Sequence, residues 1–140
     1  MANITIVYWS GTGNTEAMAR LIKEGAEGAG ASVTLLNVAQ ADGSALEADV
    51  LALGCPAMGA EVLEESEFEP YIASIEGKLS GKKIALFGSY GWGDGEWLRD
   101  WTDRMTGAGA ALAAESLAVN EAPGGDDALA CKRFGAAIAG

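Results

Sequence analysis

Short apolar runs rich in β-branched and aromatic residues alternate along this chain with amphipathic segments at helical spacing. The first run, 4–9, is apolar at nearly every position, as is typical of a strand buried on both faces of a sheet. Parallel strands need crossover connections, so this alternation predicts an α/β fold with a parallel sheet covered on both faces. The predicted strands are 4–9, 32–37, 49–54, 83–88 and 112–119, the predicted helices are 15–29, 68–75, 96–105 and 126–139, and 40–47 is predicted as a short or irregular connection.

Length, charge and cysteine content limit the classes of function. The 140 residues suit one domain, so we expect a single domain over residues 1–140. A formal net charge of -11 disfavours nucleic acid and anionic membranes and favours partners with basic surfaces. The absence of histidine excludes histidine-based catalysis, and Cys55 and Cys131 have no metal-ligand spacing. With no run of about 18 apolar residues and no signal-peptide pattern, we expect a cytoplasmic protein.

The loop between the first strand and the first helix is rich in glycine and hydroxyl side chains. It reads Ser10, Gly11, Thr12, Gly13, Asn14, Thr15, and its amides at the helix start lack intrahelical partners, so an anion could bind there. It lacks the Lys of a nucleotide-hydrolysing phosphate loop, and Glu16 stands where a dinucleotide fingerprint needs a third glycine. The loop therefore favours a single phosphate monoester, with an ordinary capped strand-to-helix turn as the alternative.

The loops after the other inner strands carry unusual residues for strand ends. The carboxyl ends of parallel strands meet at one edge of a sheet, where ligands of such folds bind. Met58, Tyr90 and Trp92 all occur there beside glycines, which favours a flat aromatic ligand held by ring and sulfur contacts. We expect Phe87 and Trp101 to fill the core, and Trp92 not to.

Four segments resemble the FMN loops of short-chain flavodoxins from anaerobic bacteria. They are 8–16 (YWSGTGNTE), 54–59 (GCPAMG), 87–93 (FGSYGWG) and 119–121 (VNE). The resemblance spans the chain and implies a flavodoxin-like, doubly wound, five-stranded parallel sheet in the order 2-1-3-4-5. It also implies bound FMN and a low-potential one-electron carrier that shuttles electrons between redox proteins, as a monomer.

The resemblance further implies roles for individual residues. Residues 10–15 would hold the FMN phosphate, Met58 and Trp92 would cover the two faces of the isoalloxazine, and Glu61 would accept a hydrogen bond from flavin N3. The Gly59–Ala60 peptide would turn on one-electron reduction toward the N5 proton, which favours the semiquinone. The implied cofactor-binding set is Ser10, Gly11, Thr12, Gly13, Asn14, Thr15, Pro56, Ala57, Met58, Gly59, Ala60, Glu61, Ser89, Tyr90, Gly91, Trp92, Gly93, Asn120 and Glu121.

Some implied roles are less specific, and one position departs from the family. Ser89 and Tyr90 would lie near the phosphate, and Asn120 and Glu121 would flank the ring or the ribityl chain. Ala60 stands where family members often carry a polar residue, so a side-chain hydrogen bond to the flavin is missing there.

The carrier hypothesis needs neither a catalytic residue nor a metal. Nearby acidic residues would disfavour the second electron, which gives the low potential. The alternatives are an NAD(P)H-dependent FMN reductase or quinone reductase on the same fold, for which we find no nicotinamide-binding segment, and a non-redox binding module. The acidic residues are Glu61, Glu64, Glu65, Asp94 and Glu96.

Overall fold

Every strand pairing in the sheet is parallel. The computed structural model describes residues 2–59 and 61–140. The strands are β1 (Asn3–Tyr8), β2 (Ser32–Asn37), β3 (Val50–Gly54), β4 (Lys83–Tyr90), β5 (Ala111–Leu112) and β6 (Leu117–Asn120). Their order is β2-β1-β3-β4-β5, and β6 pairs with β4 beyond β5. The predicted order 2-1-3-4-5 is confirmed, with β5 and β6 together occupying the fifth position.

Within residues 2–59 and 61–140, four α-helices cover the two faces of this sheet. They are α1 (Asn14–Gly28), α2 (Phe68–Glu76), α3 (Glu96–Gly107) and α4 (Asp126–Ala139). Side chains of α1 and α4 pack against alternate strand residues such as Ile6 and Ala52, while those of α2 and α3 pack against Leu51 and Leu53. This alternation explains why the central strands are apolar at successive positions. Phe87 and Trp101 are buried in the core, as predicted.

The predicted fifth strand, 112–119, is not continuous. β5 ends opposite Ile84 and β6 begins opposite Phe87, so two residues of β4 face the four residues 113–116. The two extra residues cannot join the ladder, and the chain bends away from it. The Ser116 hydroxyl lies 2.8 Å from the Thr102 hydroxyl of α3, which ties the bend to that helix.

The contact between α1 and α4 depends on two glycines. A side chain at Gly25 would collide with the Lys132 carbonyl of α4, and one at Gly135 would collide with the Ile22 carbonyl of α1. The two backbones therefore approach each other more closely than any side chain would permit.

The remaining connections differ only slightly from the sequence prediction. Two 3-10 turns, Val38–Gln40 and Gly43–Glu47, form the predicted irregular connection between β2 and β3. β1 ends at Tyr8, one residue before the predicted end, and β4 continues to Tyr90, so Ser89 and Tyr90 extend the predicted strand 83–88 by two residues. None of the helices in the described part of the chain combines the length and the apolar character needed to span a membrane.

Candidate functional site

The loop 10–15 lies between the carboxyl end of β1 and the first turn of α1. Gly13 has a φ of 96°, a left-handed conformation that suits glycine. The Ser10 Oγ accepts hydrogen bonds from the backbone N–H groups of Gly13 and Glu16, at 3.1 and 3.3 Å. The first intrahelical bond runs from the Ala17 N–H to the Gly13 carbonyl. Ser10 thus shapes the loop, while the earlier amides of the helix start are free of intrahelical bonds.

The Thr15 hydroxyl at this edge is buried without a hydrogen-bond partner among the described residues. The residue is 1% exposed. An unsatisfied buried hydroxyl costs about 1–3 kcal/mol. A phosphate oxygen at the helix N-terminus would accept its hydrogen and would also meet the free amides and the positive end of the helix dipole. The loop therefore fits a phosphate group although it contains no basic side chain.

A cavity of about 350 Å³ opens beside this loop, at the edge where the strands end. Its size lies within the range of small-molecule sites. Trp9, which is not in the predicted cofactor-binding set, also lines it, and a side chain at Gly11 would lie 2.9 Å from the Trp9 ring. An aromatic residue directly before the loop was the signal that could have identified Trp9. Ten predicted residues line the cavity: Gly11, Thr12, Asn14, Pro56, Ala57, Met58, Ser89, Tyr90, Gly91 and Glu121.

The Met58 segment is held by backbone hydrogen bonds on both sides. The Ala57 N–H donates to the Ser89 carbonyl at 3.1 Å, and the Met58 N–H donates to the Val62 carbonyl at 3.0 Å. A turn closes where the Glu61 N–H donates to the Met58 carbonyl at 2.8 Å. Gly59 is exposed within that turn, whereas Ala60 lies outside the described residues, so the predicted turning of the Gly59–Ala60 peptide stays a prediction.

Glu61 joins this turn to the start of α3. Its Oε2 accepts a hydrogen bond from the Trp97 N–H at 2.8 Å, and its carboxylate packs so closely against Gly93 that a side chain there would collide with it. Glu61 has a φ of 56°, unusual for a residue other than glycine. A carboxylate has about four acceptor sites, so the bond to Trp97 leaves capacity for another donor.

Trp92 lies outside the lining of the cavity and is 63% exposed. This exposure agrees with the expectation that Trp92 does not fill the core. Two aromatic residues line the cavity instead, Trp9 and Tyr90, and Tyr90 packs on Trp97 with 5.8 Å between ring centroids. Stacking of Trp92 on a flat ligand therefore stays a prediction. Other predicted residues outside the lining are Ser10, Gly13, Thr15, Gly59, Glu61, Gly93 and Asn120.

The loop after β6 is fastened to the end of β4. The Ser89 hydroxyl, in a buried residue, donates to the Glu121 carbonyl at 2.7 Å. The Glu121 N–H and the Asn120 side-chain amide both donate to the Tyr90 carbonyl, at 2.8 and 3.2 Å. Because the Ser89 hydroxyl hydrogen is used inside the protein, Ser89 positions the two loops.

Acidic side chains near the site are partly compensated. Burial alone would raise the pKa of Glu64, but backbone N–H groups of Phe68, Glu67 and Ser66 donate to its carboxylate and hold the pKa below its usual value. Asp94 forms an ion pair with Arg99 at 3.0 Å. Glu64 and Asp94, two of the five acidic residues expected to lower the potential, therefore have local groups that stabilise their charge. A third, Glu61, lies at the N-terminus of α3.

Cys55 lies beneath these loops and is fully buried. Burial raises the pKa of its thiol to about 12, so the thiolate is not formed at neutral pH. Its Sγ accepts a hydrogen bond from the Glu64 N–H at 3.4 Å, and its carbonyl accepts one from the Trp97 indole at 3.1 Å. Cys55 therefore supports the site through these two hydrogen bonds.

The sequence of this chain is similar along nearly its whole length to members of one known family. A model of the family described as flavodoxin matches residues 6–135. The chain is 54% identical to the flavodoxin of Clostridium beijerinckii over 136 residues, which cover 96% of this chain and 97% of the relative. This chain belongs to the flavodoxin family. Flavodoxins bind FMN and transfer electrons without being enzymes, so the reductase alternative is not favoured.

Further relatives agree in sequence and in structure. The flavodoxin of Megasphaera elsdenii is 47% identical over 137 residues, covering 97% of this chain and 98% of the relative. The solution structure of two-electron reduced Megasphaera elsdenii flavodoxin superposes with a TM-score of 0.88 at 46% identity, covering 97% of this chain and 98% of that one. The resemblance inferred from the four loops is thereby confirmed at the level of the family and the fold.

Proposed function

We propose that this flavodoxin holds FMN at the carboxyl edge of its sheet and carries single electrons between redox proteins at low potential. The observation that carries the assignment of the site is the buried Thr15 hydroxyl, which has no partner among the described residues and lies in the loop that begins α1. A bound phosphate monoester gives that hydroxyl an acceptor and satisfies free amides of the helix start.

The cavity beside the loop supports the placement of the rest of the cofactor. Met58, Tyr90 and Trp9 provide apolar and aromatic walls, which suit a flat ring system. Met58 is proposed to cover one face of the ring and Trp92, exposed on the neighbouring loop, to cover the other. Glu61 is proposed to accept a hydrogen bond from flavin N3 with the capacity that Trp97 leaves free.

Bound FMN supplies the one-electron chemistry, while the protein supplies binding, orientation and electrostatics. Ser10 shapes the phosphate loop, and Ser89 and Asn120 hold the last loop against β4. The whole predicted set, with Ala60 and Gly93 included, is retained as the proposed cofactor-binding set. No residue in it needs to act as a nucleophile or a base.

The partners are proposed to be redox proteins with basic docking surfaces, met by a monomer of this single-domain chain in the cytoplasm. The net charge of -11 supports this choice, because oppositely charged surfaces accelerate encounter. The same charge disfavours nucleic acid and anionic lipid as partners.

A comparison of FMN with riboflavin tests the proposed site. The two ligands differ only in the phosphate. Titration of the apoprotein with each ligand, monitored through the quenching of flavin fluorescence, therefore isolates the contribution of the loop 10–15 to binding. Charge-assisted hydrogen bonds contribute roughly 1.5–3 kcal/mol each, so FMN should bind at least about 100-fold more tightly than riboflavin. Equal affinities would contradict the proposed role of the loop.

A further inference from the structure

A second groove, larger than the cofactor cavity, lies between α3 and the split edge of the sheet. Its volume is about 420 Å³, against about 350 Å³ for the cavity at the strand ends. Thr102 and Asp103 form its α3 side, and Leu112, Glu115 and Ser116 form its sheet side. None of these residues belongs to the proposed cofactor-binding set.

The groove exists because the edge of the sheet is incompletely covered on the α3 face. Leu117 packs with the cluster formed by α1 and α4, whereas its neighbour Ala118 is exposed and lines the groove. Leu112 is 38% exposed at the other end of the bend. The interruption at 113–116 leaves no continuous row of backbone groups at this edge. Recognition of a partner here must therefore use side chains, and not the addition of a strand.

The two hydroxyl groups that line the groove, those of Thr102 and Ser116, can accept hydrogen bonds from a ligand. The Thr102 hydroxyl donates to the Leu98 carbonyl at 2.7 Å, so in the 2.8 Å contact between Thr102 and Ser116 the Ser116 hydroxyl is the donor. Both hydroxyl hydrogens are thus used inside the protein, and the lone pairs that remain can only accept. These two hydroxyls therefore favour a ligand that donates hydrogen bonds.

The charged side chains of the groove also favour a ligand that donates hydrogen bonds, because they favour a cation. Asp103 and Glu115 are exposed, and neither has an ion-pair partner within residues 2–59 and 61–140. Arg99, the cation among the described residues that line the groove, is already paired with Asp94 at 3.0 Å. Two carboxylates are therefore left to attract a positively charged group next to the apolar Leu112.

We propose that this groove docks an extended segment of a redox partner that carries lysine or arginine beside an apolar side chain. The proposal rests on the carrier function proposed above, since it assigns part of the partner's binding energy to a surface outside the cofactor site. Asp94, which also lines the groove, follows Trp92 by two residues. A segment bound here would accordingly hold its protein beside the loop that carries Trp92.

The test uses the FMN-loaded protein and a capped peptide of sequence Lys-Leu-Lys-Leu-Lys. In ¹H–¹⁵N correlation spectra the largest shift changes should fall on Thr102, Asp103, Leu112 and 115–118. The double variant Asp103→Asn, Glu115→Gln should weaken binding about three- to tenfold, the range expected for two exposed ion pairs. Ala118→Leu, which fills the groove without a change in charge, should weaken binding as well.

Two controls separate the groove from general attraction to an acidic protein. The double variant Glu24→Gln, Glu47→Gln removes two exposed charges elsewhere and should leave the affinity within about twofold, and a peptide with Gln in place of Lys should not bind. Equal weakening in both double variants, unchanged binding in Ala118→Leu, or shift changes confined to 58–65 and 91–93 would overturn the proposal. Flavin absorbance of the same samples reports FMN binding, so a failure of the proposed cofactor site would be seen separately.

Discussion

The Glu61 carboxylate lies at the N-terminus of α3, where its Oε2 accepts a hydrogen bond from the Trp97 N–H at 2.8 Å. Gly95, which precedes that helix, provides no side-chain cap. Glu61 therefore acts as the cap of a helix that begins 35 residues after it in the sequence. The contact couples the turn after Met58 to the loop that carries Trp92.

Glu61→Ala should lower the free energy of unfolding of the apoprotein by about 1 kcal/mol, because a helix cap is lost. Glu61→Gln retains an oxygen that can accept from Trp97, so most of that loss should be absent. Urea unfolding of both variants measures the difference. Equal stability of the two variants would show that the contact with Trp97 does not stabilise the fold.

Glu64 makes a second cap of this kind, at the start of α2, and it predicts a dependence on pH. Its pKa is lower in the folded protein, so its stabilisation is present above its ordinary pKa of about 4.3 and is lost as the pH falls through the folded value. Glu64→Gln should cost about 1–2 kcal/mol at pH 7, because the Ser66 N–H then faces an amide donor.

The cost of Glu64→Gln should shrink as the pH falls below the ordinary carboxyl pKa of about 4.3 and through the lower pKa of the folded state, because the wild-type carboxyl then also becomes neutral. Urea unfolding at pH 7, 5 and 3.5 follows this change. Glu65→Gln is the matched control, since the neighbouring side chain is exposed, and it should have little effect at any pH. A cost that is independent of pH would contradict the assigned cause.

Much of the fold could be predicted from local patterns. The apolar runs of the central strands and the spacing of the four helices are properties of short segments, so their bounds were predicted within a few residues. The break at 113–116 was not, because residues 112–119 contain no glycine or proline that would mark an interruption. The break arises from the register against β4, where four residues face two, and register depends on the partner strand.

The site shows the same division between local and distant causes. Residues 10–15 and Met58 were identified because glycine, hydroxyl and sulfur side chains at strand ends are locally conspicuous. The cap that Glu61 gives α3 joins residues 36 apart, and the bond from Ser89 to Glu121 joins residues 32 apart. No pattern in one sequence indicates such pairs. The alternation of strands and helices predicted the edge of the sheet where these residues meet, but not the hydrogen bonds between them.

The close approach of α1 and α4 gives a prediction with an internal control. Gly25→Ala should destabilise the protein by about 1–3 kcal/mol, because the new methyl group would collide with the Lys132 carbonyl and push the helices apart. Gly28→Ala, in the last turn of the same helix, meets nothing within 4 Å and should stabilise by up to about 1 kcal/mol. Thermal unfolding should therefore move the two midpoints in opposite directions. A gain in stability from Gly25→Ala would contradict the packing described for α1 and α4.

The ion pair of Asp94 with Arg99 predicts a shift in the potential of the bound flavin. Arg99→Gln leaves the Asp94 charge without its partner and should make the flavin harder to reduce, by on the order of 10–50 mV at low salt. Lys23→Gln, which breaks the pair with Glu27 on α1, is the matched control and should have a smaller effect. Potentiometric titration at two salt concentrations measures both. An equal shift in the two variants would indicate an effect of net charge alone.

Removal of the buried Thr15 hydroxyl should change the stability of the apoprotein and its affinity for FMN in opposite directions. Thr15→Val keeps the shape of the side chain and removes a hydroxyl that has no partner among the described residues, so the apoprotein should gain up to about 1 kcal/mol in stability. FMN affinity should fall roughly 10- to 100-fold, since a hydrogen bond to a charged group is lost, while riboflavin affinity should change little. Thr34→Val, at an exposed position of β2, is the matched control and should alter neither flavin affinity. Unfolding of the apoprotein and fluorescence titration with both flavins measure these quantities. Equal losses of FMN and riboflavin affinity would place the Thr15 hydroxyl away from the phosphate.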